Sequence, residues 1–186
     1  MNEIQLIRAQ LDTERRHVNA VAKACAAALG TAPGRAPPAG AALTPLRAAA
    51  ADYLLCVLGW FDARDQRLLG LISTRTAADE RARSALQAAL AQPGGSHEAL
   101  GMLKALNAGA PHTNAAGLPA TWLAWAQGIA TAWDPRRQAI DALMGEITRA
   151  ADWRLFAGID ADSILDERRR FERVRAVCAP RACSSA

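Results

Sequence analysis

The chain has 186 residues, 51% of them hydrophobic and 22% charged, with a formal net charge of +4. That mild positive balance is not the footprint of a dedicated nucleic-acid binder, and no stretch nears the roughly 20 apolar residues of a membrane span. Alanine supplies much of the hydrophobic fraction, and Val-, Ile- and Thr-rich alternation is absent, so strands have little to be built from.

The first helix is expected over about residues 2–29. Ile4, Ile7, Leu11, Val18, Val21, Cys25 and Leu29 recur at spacings of three and four. Gly30 and Pro33 end it, and "TAPGRAPPAGAAL" follows as a loop. Thr44-Pro45 reads as an N-cap followed by a proline at the first helical position. The second helix then runs through Leu46, Ala50, Leu54, Val57, Phe61 and Leu68 to about Ile72. Two long helices of near-equal length predict an antiparallel hairpin, half of a bundle.

A third helix is expected over roughly 76–92, ending at Pro93-Gly94, and a shorter one from Ser96 to about Leu106. Pro119 opens another, carrying Trp122 and Trp125. Asp134-Pro135 repeats the cap-then-proline signal and launches a helix through Ile140, Leu143, Met144 and Ile147. After a break near Gly158, Asp160 or Asp162 caps a last helix with Ile164, Leu165, Phe171 and Val174 on its apolar side. No repeat of fixed period is present. The expected fold is all-α: an antiparallel helical bundle with a four-helix core and added short helices, forming a single domain over 1–178 with a tail over 179–186.

The N-terminus, "MNEIQLIRAQLDTERR", is charged throughout and has no apolar signal core, which predicts a cytoplasmic protein. The four cysteines include no Cys-x-x-Cys pair, which argues against a zinc knuckle. Cys25 and Cys56 fall on apolar stripes and read as small reduced core residues; Cys178 and Cys183 lie near the tail.

One position breaks the first helix's pattern. Extending the stripe Ile4, Ile7, Leu11 by the same rule reaches residue 14, a glutamate, before returning to Val18. His17 follows, about 60° around the helix. On the second helix Asp62 and Asp65 flank the inward face. A lone buried charge must be paired or neutralised, so an interior ion-pair network is expected. Arg137, three before Ile140, and Arg168, three before Phe171, are the arginines placed on or beside inward stripes.

A Glu-x-x-His pair on one helix face is also the half-motif of di-metal carboxylate bundles. Through Glu14 and His17 in "ERRH", and through "LGWFDARDQRLL", the first 75 or so residues resemble the hemerythrin-like and ferritin-like four-helix-bundle families. The resemblance implies a bundle holding iron or another divalent metal, with Glu14, His17, Asp62 and Asp65 as ligands. The chain departs from those families in having three histidines in all, one Glu-x-x-His, and Asp65-Gln66 where hemerythrin-like proteins place histidine.

Other constellations point to no chemistry. His97 sits in a helix's first turn and His112 in a loop. There is no glycine-rich phosphate loop, no G-x-S-x-G and no Cys/His pair of recognisable spacing. "DERRRFERVR" interleaves acids and bases at helical spacing and reads as a solvated, self-paired face. Single tryptophans, Trp153 among them, read as fillers between helices. The sequence therefore predicts a non-enzymatic binding or regulatory bundle with a charged interior and no cofactor, acting through a protein partner or by self-association as a homodimer. The alternatives are a hemerythrin-like metal-binding sensor or oxidoreductase, and a nucleic-acid binder using its basic last helix.

Overall fold

The computed structural model describes residues 2–29, 40–75 and 149–178, together with positions 80, 84, 88, 101 and 103–105. The described chain is helical, with no strand among the described residues. Four elements carry it: α1 (Glu3–Leu29), α2 (Gly40–Arg75), α3 (Ala150–Ala157) and α4 (Ala161–Cys178). The expected helices over 76–147, with Arg137, His97, His112, Trp122 and Trp125, lie outside the described residues or at isolated described positions, as does the tail.

Local chemistry sets the helix starts. At α1 the Gln5 amide donates to Asn2 Oδ1 and the Asn2 amide donates to Gln5 Oε1, each at 2.9 Å. At α4 the Ser163 amide donates to Asp160 Oδ1 at 2.7 Å and the Asp160 amide donates to Ser163 Oγ at 3.1 Å. Both are reciprocal capping boxes that satisfy amides with no partner inside the helix. The Ser163 backbone donor holds the Asp160 carboxyl below its ordinary range. The start of α2 differs from the expectation. Pro45 lies inside the helix, which begins at Gly40. Residues 40–43 extend the helix by about a turn, which places Pro45 past the first turn, where it removes one backbone N–H bond and crowds the carbonyl four residues back.

The helices pair with a definite register. Asp52, Tyr53 and Cys56 of α2 meet Arg170, Glu167 and Asp166 of α4, so these two run in opposite directions. Glu14 of α1 meets Arg64 of α2, and Leu11 shares a cluster with Leu68, so α1 also runs against α2. The larger core cluster joins Val18, Val21, Ala22 and Cys25 of α1 to Leu46 through Phe61 of α2 and Val174 of α4, with Leu103 added. A smaller one gathers Leu11, Leu68, Trp153, Phe156 and Ala157.

Among the four described helices, α4 is the one whose inward face differs from expectation. Ile164 and Leu165, expected on its apolar side, are 36% and 57% exposed. The inward stripe is Glu167, Phe171, Val174 and Cys178, with a glutamate where an apolar residue would normally mark it.

Between α3 and α4 the chain turns at Gly158, whose φ of +52° is left-handed. A Cβ there would also fall on the Arg67 guanidinium, which would have to swing aside. Gly158→Ala is expected to destabilise the fold by about 1–2 kcal/mol, the usual cost of a left-handed L-residue. Urea unfolding checks this, with no change in the m-value if only the turn is strained.

Candidate functional site

Two polar centres are buried where the helices meet, and they use the two residues of the Glu-x-x-His motif separately. The first is built on Glu14, fully buried on the α1 stripe. Arg64, 2% exposed on α2, donates to both of its carboxylate oxygens. Gln10, one turn back on α1, donates to Oε1 at 3.3 Å.

The third donor of Arg64, Nε, reaches the Ala157 carbonyl at 2.7 Å. That carbonyl ends α3 and has no partner within its own helix, so a cation there satisfies the acceptor and complements the helix dipole. Arg67 approaches the adjacent Phe156 carbonyl at 3.5 Å. The α2 arginines thus hold α1 by a carboxylate and α3 by its C-terminal carbonyls. The Arg64 guanidinium also lies 5.5 Å from the Phe61 ring centroid.

The second centre is built on Glu167, 2% exposed on α4. Its Oε1 accepts the Tyr53 hydroxyl at 2.8 Å. Nδ1 of His17 lies 2.8 Å from the same oxygen, so the ring donates there. One carboxyl group therefore ties α1, α2 and α4 together. The His17 ring stacks on Phe171, with centroids 3.8 Å apart and planes 10° from parallel. Tyr53 is buried, and burial followed by the nearby Glu167 charge pushes its hydroxyl well above the usual phenol range. It acts here as a neutral donor.

A third group, closer to solvent, runs along the α2–α4 seam. Arg170 donates to Asp166 Oδ2 at 2.8 Å and to Asp52 Oδ1 at 2.6 Å. Cys56 contacts Asp166 at 3.8 Å. Burial, ahead of the neighbouring carboxylates, raises the Cys56 thiol.

The expected site residues are distributed as follows. Glu14 is buried and paired, but its arginine is Arg64. Arg168 is exposed on α4, one residue beyond the inward-facing Glu167, and so does not serve the interior. Arg137 lies outside the described residues. Asp65 is buried and Asp62 half-buried. Glu14 and His17 turn to different partners. Among the described residues, no three His, Cys, Asp or Glu side chains gather to hold a metal ion.

The basic run on α4 is only partly a self-paired face. Arg175–Glu172 and Arg170–Asp166 pair within the helix, but Glu167 leaves it for the core. No described helix is long and apolar enough to cross a membrane. No family model, curated protein or solved structure matches this chain.

Proposed function

We propose that this chain is a binding or regulatory helical bundle whose interior charges are structural, fixing how its helices register. The observation that carries the reading is that both residues of the Glu-x-x-His motif are already committed to protein partners. Arg64 occupies both oxygens of Glu14, and Glu167 occupies Nδ1 of His17. Buried polar pairs of this kind discriminate among helix registers. Sliding α1 by a turn against α2 would leave Glu14 and Arg64 each buried without its partner. The four-helix-bundle arrangement, with helices from the middle of the chain completing the core, belongs to the same reading and agrees with Leu103 entering the larger cluster.

The metal-binding reading has one feature in its favour. A carboxylate on Nδ1 is the support that metal-bound histidines commonly have, leaving Nε2 for the ion. It would need its remaining ligands from residues other than the described ones. Metal analysis of protein purified without chelators or a histidine tag separates the two readings. The structural reading expects no stoichiometric iron, zinc or manganese. Stoichiometric metal in the wild type, lost in both Glu14→Gln and His17→Gln, would replace it with the metal-binding one.

A further inference from the structure

Cys25 and Cys178 stand at the far ends of α1 and α4. Both helices run against α2, so they run in the same direction, and the stacked rings of His17 and Phe171 fix one level between them. From that level α1 advances eight residues to Cys25, and α4 advances seven to Cys178. At 1.5 Å per residue these are rises of about 12 and 10.5 Å, a difference well under one turn. Each cysteine also faces the right way. Cys25 lies seven residues, or two turns, past the buried Val18, and Cys178 lies seven past Phe171. Both pack in the larger core cluster. Burial pushes the Cys25 thiol up to about 12, with the neighbouring Cys178 adding to the effect, in agreement with the register argument.

We propose that Cys25 and Cys178 form a redox-responsive pair that closes to a disulfide when the protein meets a peroxide, locking α1 to α4. Both are thiols here. Cys178 is the less buried of the two and is attacked first. Its thiolate sulfur bonds to a peroxide oxygen, the O–O bond breaks, and the departing hydroxide takes a proton as water, leaving a sulfenic acid. The Cys25 sulfur then gives up its proton and bonds to the Cys178 sulfur, and the S–O bond breaks with release of a second water. Two thiols lose two electrons, and one peroxide becomes two waters. Cys25, the more deeply buried of the two, meets peroxide less readily and so resolves rather than initiates. The bond would close a loop over most of the chain, the case in which a cross-link restricts the unfolded state most.

The test treats the full-length chain with stoichiometric hydrogen peroxide, blocks remaining thiols with N-ethylmaleimide, and maps tryptic peptides without reduction. Trypsin separates the relevant cysteines: Cys25 falls in ACAAALGTAPGR, Cys178 in AVCAPR and Cys183 in ACSSA. The expected product is a monomer 2 Da lighter before alkylation, with the first two peptides joined and Cys183 alkylated. Its melting temperature should rise by on the order of 5–15 °C and return with dithiothreitol. Cys183→Ser should form the same link, and Cys178→Ser should not.

Cys25→Ala should not form the link either; should it fail to fold, the peptide map of the wild type decides alone. Four alkylated cysteines after peroxide would overturn the proposal. So would a Cys178–Cys183 link, a link between two chains, or accumulation of sulfinic acid on Cys178 with Cys25 untouched.

Discussion

Glu14→Ala is expected to cost about 3–5 kcal/mol, the usual penalty for stranding one member of a buried ion pair. Arg64 would be left 2% exposed with the Ala157 carbonyl as its remaining named acceptor. At about 2–4 °C per kcal/mol for a chain of this size, the melting temperature should fall by roughly 6–20 °C. Glu14→Gln should be milder, since it keeps the volume and one acceptor. Arg64→Met should resemble Glu14→Ala, because it buries an unpaired carboxylate.

The double variant Glu14→Leu with Arg64→Met should recover most of the loss, because an apolar pair of similar volume avoids the desolvation of both charges. Urea unfolding of the four variants measures this. A Glu14→Ala protein that unfolds with the parent would place Glu14 at the surface and undo the register assigned to α1.

The second large effect is expected at Trp153. This side chain is 1% exposed, meets Phe156 edge-on with centroids 6.0 Å apart, and carries the Arg8 guanidinium 4.8 Å above its ring. It holds the eight-residue α3 against the start of α1 and the end of α2. A helix that short has no independent stability and depends on such packing. Trp153→Ala should cost about 3–5 kcal/mol through lost burial and the cavity left behind. Leu155→Ala is the internal control. Leu155 is 61% exposed on the same helix, and its loss should stay within about 0.5 kcal/mol. Equal effects at the two positions would mean that α3 does not dock through Trp153.

The long helices were legible because alanine-rich 3-and-4 patterns leave few alternatives. The burial of Glu14 was legible for the same reason, since a charge at a stripe position stands out among leucines and valines. Its partner was missed, although the same rule would have found it. Along α2 the stripe Val57, Phe61, Leu68 has a gap of seven residues, and Arg64 fills it. Extending both stripes through their charged positions yields one glutamate and one arginine of opposite sign on facing helices.

Glu167 was hidden differently. It lies in a run dense with charge, where Arg168, Arg169 and Glu172 are exposed and mask the single acid that faces inward. Counting back four from Phe171 and seven from Val174 marks it. Ile164 and Leu165 mislead for the same reason, because these apolar residues next to the turn are exposed while the inward stripe of the helix begins with a glutamate. Tyr53 carried no sequence signal beyond being apolar enough for a core. Only the chain's return through α4 reveals its hydroxyl's acceptor, 114 residues away.

That separation bears on how the protein is made. Tyr53 and His17 emerge from the ribosome long before the carboxyl group that receives them. At about 5–20 residues per second, the 114 residues between Tyr53 and Glu167 represent roughly 6–23 s of synthesis. The α1–α2 hairpin can close on Glu14 and Arg64 in that interval, but the side that α4 will cover stays open, with a phenol and an imidazole among its apolar residues. The nascent chain should therefore be most exposed to chaperones and to misassociation while its middle third is being translated. The helix Ala161–Cys178 ends that exposure by bringing in Glu167, Phe171 and Val174 together, and a chain cut short before it is left with an unfinished core.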